Sequence, residues 1–289
     1  MKRLIIGISL LALLSACGTG GAGGTDTGKL RVVTSMGLLA DIAGQVGGER
    51  VQVESLVPLG AGPEDYQATP GDSQKIAQAR LVIFNGAGLE AWIAPLFENA
   101  GAEGQQRLEL AAGLPAIDGN PHFWLDPTYA VSYTERIRDA LISLDPAGAK
   151  QYRANSQRYV NELIALDSDL AAQAATIPAE RRQLVTNHDA FPYFARRYGF
   201  TVTGVILENP EAELSAGDLS GLVGAVRASG VPAIFAESQF NQKTAQVLAE
   251  EAGVKTIAVL YTDSLGGQGA ASYIEMMRYN MKTIVDSLK

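Results

Sequence analysis

The chain has 289 residues, 47% of them hydrophobic, and a formal net charge of -8. That length supports one large core or two modest ones, and the apolar content excludes a disordered chain. The acidic balance, with no Lys/Arg-rich run, excludes the positive face that nucleic acid or a polybasic membrane patch requires, so no nucleic-acid partner is expected.

Met1-Lys2-Arg3 is a basic start, Leu4 to Leu14 is an apolar run too short to span a bilayer, and Leu14-Ser15-Ala16-Cys17 follows at once. Residues 1–17 read as a signal peptide whose LSAC end resembles a bacterial lipobox, making Cys17 the lipidated first residue of the mature chain. The alternative is an ordinary signal peptide with a stray cysteine. Because Cys17 is the only cysteine, the mature chain offers no disulfide, no thiolate metal ligand and no cysteine nucleophile. Residues 18–28 read as a flexible Gly-rich tether. It contains a GxGxxG match (Gly18, Gly20, Gly23) and a GxxxxGK match (Gly23 to Lys29). No strand precedes either, and Leu30 stands where a phosphate loop needs Ser or Thr.

From Leu30 onward, short aliphatic runs alternate with helical patterns. The runs predict strands at 30–35, 51–58, 80–85, 183–187, 201–206, 233–237 and 256–261. Thr69-Pro70-Gly71-Asp72 has the form of a capped helix start, and Asp126-Pro127 and Asp145-Pro146 repeat the Asp-then-Pro signal. Asp65 and Asp72 are expected to serve the first start, Asp126 to cap its own helix, and Asp189 to cap a helix beginning near Ala190. From Pro146 to about Ile177 there is no strand signal, while Tyr152, Tyr159, Leu163, Leu166 and Leu170 recur with helical period. A helix of ~30 residues is about 45 Å long, enough to run the length of a small domain. The expected fold is α/β: two lobes with mostly parallel sheets, 29–145 and 179–289, joined by one long backbone helix at 146–178. A single large α/β domain is the alternative.

Ligands of open α/β sheets bind beyond the carboxyl ends of the strands. Those loops contain Glu64 and Asp65, then His188 and Asp189, then Asp263, with His122 in the loop before Pro127. A lone loop histidine is more often solvated than functional, and Asp263 alone reads as a turn residue. The coincidence is that the chain's two histidines fall in what read as corresponding loops of the two lobes, each with a carboxylate. Two neutral imidazoles and two carboxylates make a doubly negative site that a divalent metal neutralises.

With VVTSMGLLADIAGQVGG, SLVPLGAGPEDYQATPGD, LVIFNGAGLEAWI, NPHFWLDP, TNHDAFPYFARRYG, ENPEAELSAGDL, AIFAESQFNQKTAQVLAEEAG and VLYTDSLG in this order, the chain resembles the cluster A-I solute-binding proteins. These are the lipoprotein receptors of manganese and zinc ABC importers. The resemblance implies two lobes joined by a backbone helix, one metal between them, an ABC permease as partner, membrane attachment through Cys17, a monomer, and no enzymatic activity. It places the metal ligands at Glu64, His122, His188 and Asp263. Glu64 stands where the family usually has histidine, and His188 where zinc members have histidine and manganese members often have glutamate.

The transported ion is therefore expected to be Mn²⁺ ahead of Zn²⁺, with Fe²⁺ also compatible. Two nitrogens and two carboxylates match the manganese inventory, and LAAGLPAIDGN lacks the His-rich loop common in zinc members. Affinity is expected to fall below about pH 6 to 6.5, where ordinary histidines charge. Two other functions are the alternatives: a metal-binding adhesin-like lipoprotein, which needs an exposed partner-binding surface, and a hydrolase with Glu64 and Asp263 as its carboxylate pair. The hydrolase lacks a nucleophile elbow, since no GxSxG occurs.

Overall fold

The computed structural model of the chain describes residues 28–207, 216–267 and 269–289. Cys17, the tether up to residue 27 and the ENPEAELS stretch at 208–215 lie outside the described residues.

Two four-stranded sheets, each wholly parallel, form the frame. The first contains β1 (Leu30–Thr34), β2 (Val51–Ser55), β3 (Leu81–Phe84) and β4 (Gln106–Glu109), in the order β2-β1-β3-β4. The second contains β5 (Gln183–Thr186), β6 (Thr201–Val205), β7 (Ala233–Glu237) and β8 (Thr256–Leu260), in the matching order β6-β5-β7-β8. All seven predicted strands are present, several shorter at their carboxyl ends. β4 was not predicted: QRLE has one aliphatic residue, its burial alternates between half-buried and exposed, and its place at a sheet edge asks no more.

Successive side chains of a strand face opposite ways, and each sheet uses both faces. Val32, Leu81, Ile83, Leu184, Ala233 and Phe235 join one continuous core shared by both sheets. Their neighbours Val33 and Val82 pack instead with Ile76 and Ile93, while Val185, Ile234 and Ala236 pack with Val226 and Leu248.

The helices are α1 (Gly37–Gly47), α2 (Pro70–Gln78), α3 (Ile93–Ala100), α4 (Pro127–Leu144), α5 (Ala149–Ala174), α6 (Pro192–Tyr198), α7 (Ala216–Ser229), α8 (Lys243–Ala252) and α9 (Tyr273–Leu288). The long helix α5 has 26 residues and starts after a 3-10 turn at Pro146–Gly148, a few residues later than the Asp145-Pro146 signal suggested. Asp145 instead takes a two-point contact from Arg50, 2.7 and 2.9 Å, and a hydrogen bond from Tyr152. Tyr152, Tyr159, Leu163, Leu166 and Leu170 are all buried, which is why one stripe of α5 lies along the shared core. The C-terminal helix α9 packs on α5 and also reaches α1, where the Tyr273 amide donates to Asp41 at 2.8 Å.

Of the expected caps, Thr69 and Asp72 form a reciprocal capping box and Asp126 accepts from the Thr128 amide at 2.9 Å. Asp189 does not cap α6, which starts at Pro192 with Phe191 at its N-cap; Asp189 accepts from Asn120 instead. Asp65 also stays away from the Thr69 start and lines a cavity beside Glu64.

Candidate metal centre

The carboxyl ends of both sheets face one another, and the loops beyond them bring Glu64, His122, His188 and Asp263 together. Ligand-type atoms of Glu64, His122 and His188 lie within 4.8 Å of one another. The Nε2 atoms of the histidines are 3.1 Å apart; His122 Nε2 is 3.5 Å from Glu64 Oε1 and 3.6 Å from Asp263 Oδ1, and His188 Nε2 is 3.2 Å from Asp263 Oδ2. His122, His188 and Asp263 are buried, and Glu64 is half-buried.

The shared strand order corrects one expectation. β4 corresponds to β8, so His122, which follows β4, matches Asp263, which follows β8, and not His188, which follows β5 at the sheet centre. The two imidazoles do not occupy corresponding loops. Their proximity comes from the lobes facing each other.

A tight turn places His122. Asp118 and Gly119 both have positive φ, 49° and 78°, and the Asn120 amide donates to Ile117 O at 2.8 Å, a type I′ pattern that Asp-Gly favours. Asn120 Oδ1 then accepts from the His122 amide and stands 3.0 Å from its Nδ1. An acceptor there requires Nδ1 to hold the proton, which leaves the Nε2 lone pair facing the cluster. Tyr193 locks the turn from the other lobe: it donates to Asn120 O at 2.6 Å and accepts from the Ile117 amide at 3.1 Å. Next along, Trp124 donates its indole N–H to Thr262 O at 2.8 Å, tying this loop to the one that holds Asp263.

His188 is held by Glu237, at the end of β7. Glu237 Oε1 accepts from the His188 amide at 3.0 Å, and Oε2 lies 2.7 Å from Nδ1, an ion-pair distance rather than an aligned hydrogen bond. Thr262 donates to Glu237 Oε2 at 2.7 Å, and Gln239 donates to Thr262 Oγ1 at 2.6 Å and to Asp263 Oδ2 at 2.8 Å. The Glu64 loop is secured mainly from its own lobe, by Trp92 donating to Pro63 O at 2.6 Å. It meets the far lobe through the Gly60 amide, which donates to Ser264 Oγ at 2.7 Å. Among the described residues Glu64 Oε2 and Asp263 Oδ1 have no hydrogen-bond partner although buried, so acceptor capacity is left over at this point.

The charges are unequally placed. Burial pushes the His122 imidazole down to about 3, so it stays neutral. Burial also opposes charge on His188, but the carboxylates of Glu237 and Asp263 outweigh it and hold that imidazole well above the ordinary histidine value. Burial, reinforced by the charge of Asp263, pushes Glu64 up to about 7. Burial works against Asp263 as well, yet the charged His188 keeps its carboxyl below the ordinary aspartate value. The metal-free cluster therefore holds its protons on His188 and Glu64, not on two ordinary histidines, which revises the pH range expected from sequence.

A cavity of about 390 Å³, lined by Gly62, Glu64, Asp65, Tyr66, Gln239 and Phe240 among others, adjoins the cluster. A larger hollow of about 780 Å³ beside Lys29, Arg50 and Arg80 lies at the amino ends of the first-sheet strands, away from these side chains.

Sequence reading missed Asn120, Glu237, Gln239 and Thr262. Glu237 was open to discovery by the rule that found the others, being a carboxylate at the carboxyl end of a buried strand. Asn120 holds His122 from two positions away and was open to local reading too, whereas Gln239 and Thr262 act across the fold, and no local spacing marks them.

This fold and cluster define a two-lobed binding protein for a small cationic ligand. Residues 32–287 match the family described as zinc-uptake complex component A, periplasmic, and the chain belongs to that family. It is 36% identical to the manganese-binding lipoprotein MntA of Halalkalibacterium halodurans, over 97% of this chain and 96% of that one. It is 34% identical to the iron-binding protein YfeA of Yersinia pestis, over 96% of this chain and 92% of that one. Among solved structures, the periplasmic zinc binding protein TroA from Treponema pallidum superposes with a TM-score of 0.85 at 30% identity, covering 90% of this chain and 99% of that one.

Proposed function

We propose that the protein captures one divalent transition metal outside the cytoplasmic membrane, between lobes 29–145 and 179–289, and delivers it to the permease of an ABC importer. The observation that supports this most is the meeting of two imidazole Nε2 atoms at 3.1 Å beside two carboxylates with unpartnered buried oxygens. Glu64, His122, His188 and Asp263 are the proposed ligands. His122 supplies a ready lone pair, and His188 and Glu64 give up their protons to the incoming ion.

Mn²⁺ remains the favoured ion, with Zn²⁺ second and Fe²⁺ third. The relatives' names span all three, and an N₂O₂ set with a free carboxylate suits an ion that accepts more than four ligands. The family's description as a component of an uptake complex supports a membrane partner. Among the described residues no helix is long and apolar enough to cross a membrane. We assign attachment to a lipid on Cys17, and take the receptor to act as a monomer.

Calorimetric titration of the metal-stripped mature protein with Mn²⁺ and with Zn²⁺ tests the proposal. One ion per chain is expected, with affinity reduced at least about 100-fold in His122→Ala and less in Glu64→Ala. Unchanged affinity in both variants would remove these residues from the site.

A further inference from the structure

We propose that the cargo ion enters and leaves the cluster through the cavity beside Glu64, with Asp65 as the carboxylate that draws it to the mouth. The inference rests on the metal-receptor reading above and adds to it a route and a residue outside the ligand set.

The cluster is covered unevenly. The side chains of His122, His188 and Asp263 are 3%, 2% and 1% exposed, whereas that of Glu64 is 21% exposed, so solvent reaches the site from the Glu64 side. Near His122 the lobes are tied together by Tyr193 donating to Asn120 O and by Trp124 donating to Thr262 O, and the Trp124 ring lies 5.1 Å from the imidazole. Phe240, with its ring 5.0 Å from that of His188, screens the second imidazole.

One cavity of about 390 Å³ joins this point to the surface. Exposed Asp65, half-buried Glu64 and buried Asp263 all line it, so three carboxylates follow one another inward in order of burial. Neither histidine lines it, so an arriving cation meets oxygen donors first, and Glu64 Oε2 and Asp263 Oδ1 are unpartnered there. A passage lined by one sign of charge concentrates the field and speeds capture of the opposite charge. Asp65 is exposed and stands outside the proposed ligands, so its charge acts on arrival.

Gly62 sets the width of the passage. A Cβ at this position would stand 3.5 Å from Asp65 Oδ1 and 4.0 Å from Gln239 Cγ, both ordinary contacts, and its φ is not positive. A larger side chain is therefore compatible with the backbone, and it would extend into the cavity between Asp65 of one lobe and Gln239 of the other. Blocking a passage slows arrival and departure alike and leaves their ratio, the affinity, unchanged.

The test measures uptake and release of Zn²⁺ and Mn²⁺ by stopped flow, with free ion followed by a metallochromic indicator, in Gly62→Leu and Asp65→Asn. Gly62→Val serves as a second variant should leucine prevent folding. In the Gly62 variant both rate constants are expected to fall at least about tenfold with Kd nearly constant. In Asp65→Asn uptake is expected to slow about threefold at about 0.01 M ionic strength and to match the unaltered protein at about 1 M. Unchanged rates in the Gly62 variant would overturn the route, by showing that the ion enters elsewhere or only when the lobes part. Faster release with unchanged uptake would overturn it too, since that marks a disturbed site. Uptake in Asp65→Asn equal to that of the unaltered protein at low ionic strength would overturn the role of Asp65. Failure of the underlying reading looks different: the unaltered protein would then bind neither ion.

Discussion

The Nε2 atoms of His122 and His188 stand 3.1 Å apart, brought together from opposite lobes. Two ring nitrogens at that distance cannot both present lone pairs; a proton or a cation must lie between them. His122 is held neutral and His188 charged in the metal-free protein, so the His188 proton occupies the place proposed for the metal.

Metal uptake should therefore release protons. At pH 7 the expected yield is the His188 proton plus about half a proton from Glu64, whose carboxyl titrates at about 7. The logarithm of the affinity should rise with pH at a slope of about two below pH 7 and about one above it. Calorimetry in two buffers of different ionisation enthalpy measures the yield directly. A proton-free binding reaction would contradict the assignment of charge.

The metal-free protein should lose stability between pH 6 and pH 8. His188 has a raised folded value, so its contribution is complete below the unfolded value of about 6.5 and declines as pH rises through the folded one. Glu64, pushed up to about 7, adds a penalty that grows over the same rise because the unfolded carboxyl ionises earlier. Thermal melts of metal-free and metal-loaded protein at pH 6, 7 and 8 should diverge, with the gap widest at pH 8.

Glu237→Gln preserves the shape of the side chain beside His188 and removes the charge. Metal affinity at pH 8 is expected to fall about 10- to 100-fold, as for other carboxylates that orient a metal-binding histidine. Without Glu237 the His188 pKa also drops, so protons compete less. The curves for variant and unaltered protein should converge toward pH 6, which a titration series over that range would reveal.

Glu64→His replaces a carboxylate by a nitrogen ligand and removes a negative charge. By the Irving-Williams order the Zn²⁺/Mn²⁺ affinity ratio should rise at least about tenfold. An unchanged ratio would mean that Glu64 does not coordinate.

Leu166→Ala, in the buried stripe of α5, should destabilise the protein by about 2 to 5 kcal/mol, from lost burial and the cavity left behind. Urea unfolding measures this. Because Leu166 belongs to the core shared by both sheets, one transition is expected, with both lobes unfolding together.

Much of the frame was readable locally. Strands such as LVIF and AIFAE are continuous apolar runs because both their faces are covered, and the caps at Thr69 and Asp126 are short-range chemistry. QRLE was unreadable because an exposed edge strand needs little apolar surface. At the site, His122 and His188 stood out by scarcity, and Asp263 by its place after a strand. Their long-range supports did not: Tyr193 meets Asn120 across 73 positions and Trp124 meets Thr262 across 138, distances over which a sequence pattern has no period to show. The pKa asymmetry between the histidines was hidden for the same reason, since it depends on Glu237, 49 positions from His188.

The most direct test of the central claim is anomalous diffraction from crystals of the protein loaded with Mn²⁺, recorded on both sides of the manganese absorption edge. One peak per chain is expected, within bonding distance of His122 Nε2, His188 Nε2, Asp263 Oδ1 and the Glu64 carboxylate. A peak outside this cluster, or none at saturating Mn²⁺ together with none at the zinc edge after Zn²⁺ loading, would contradict it.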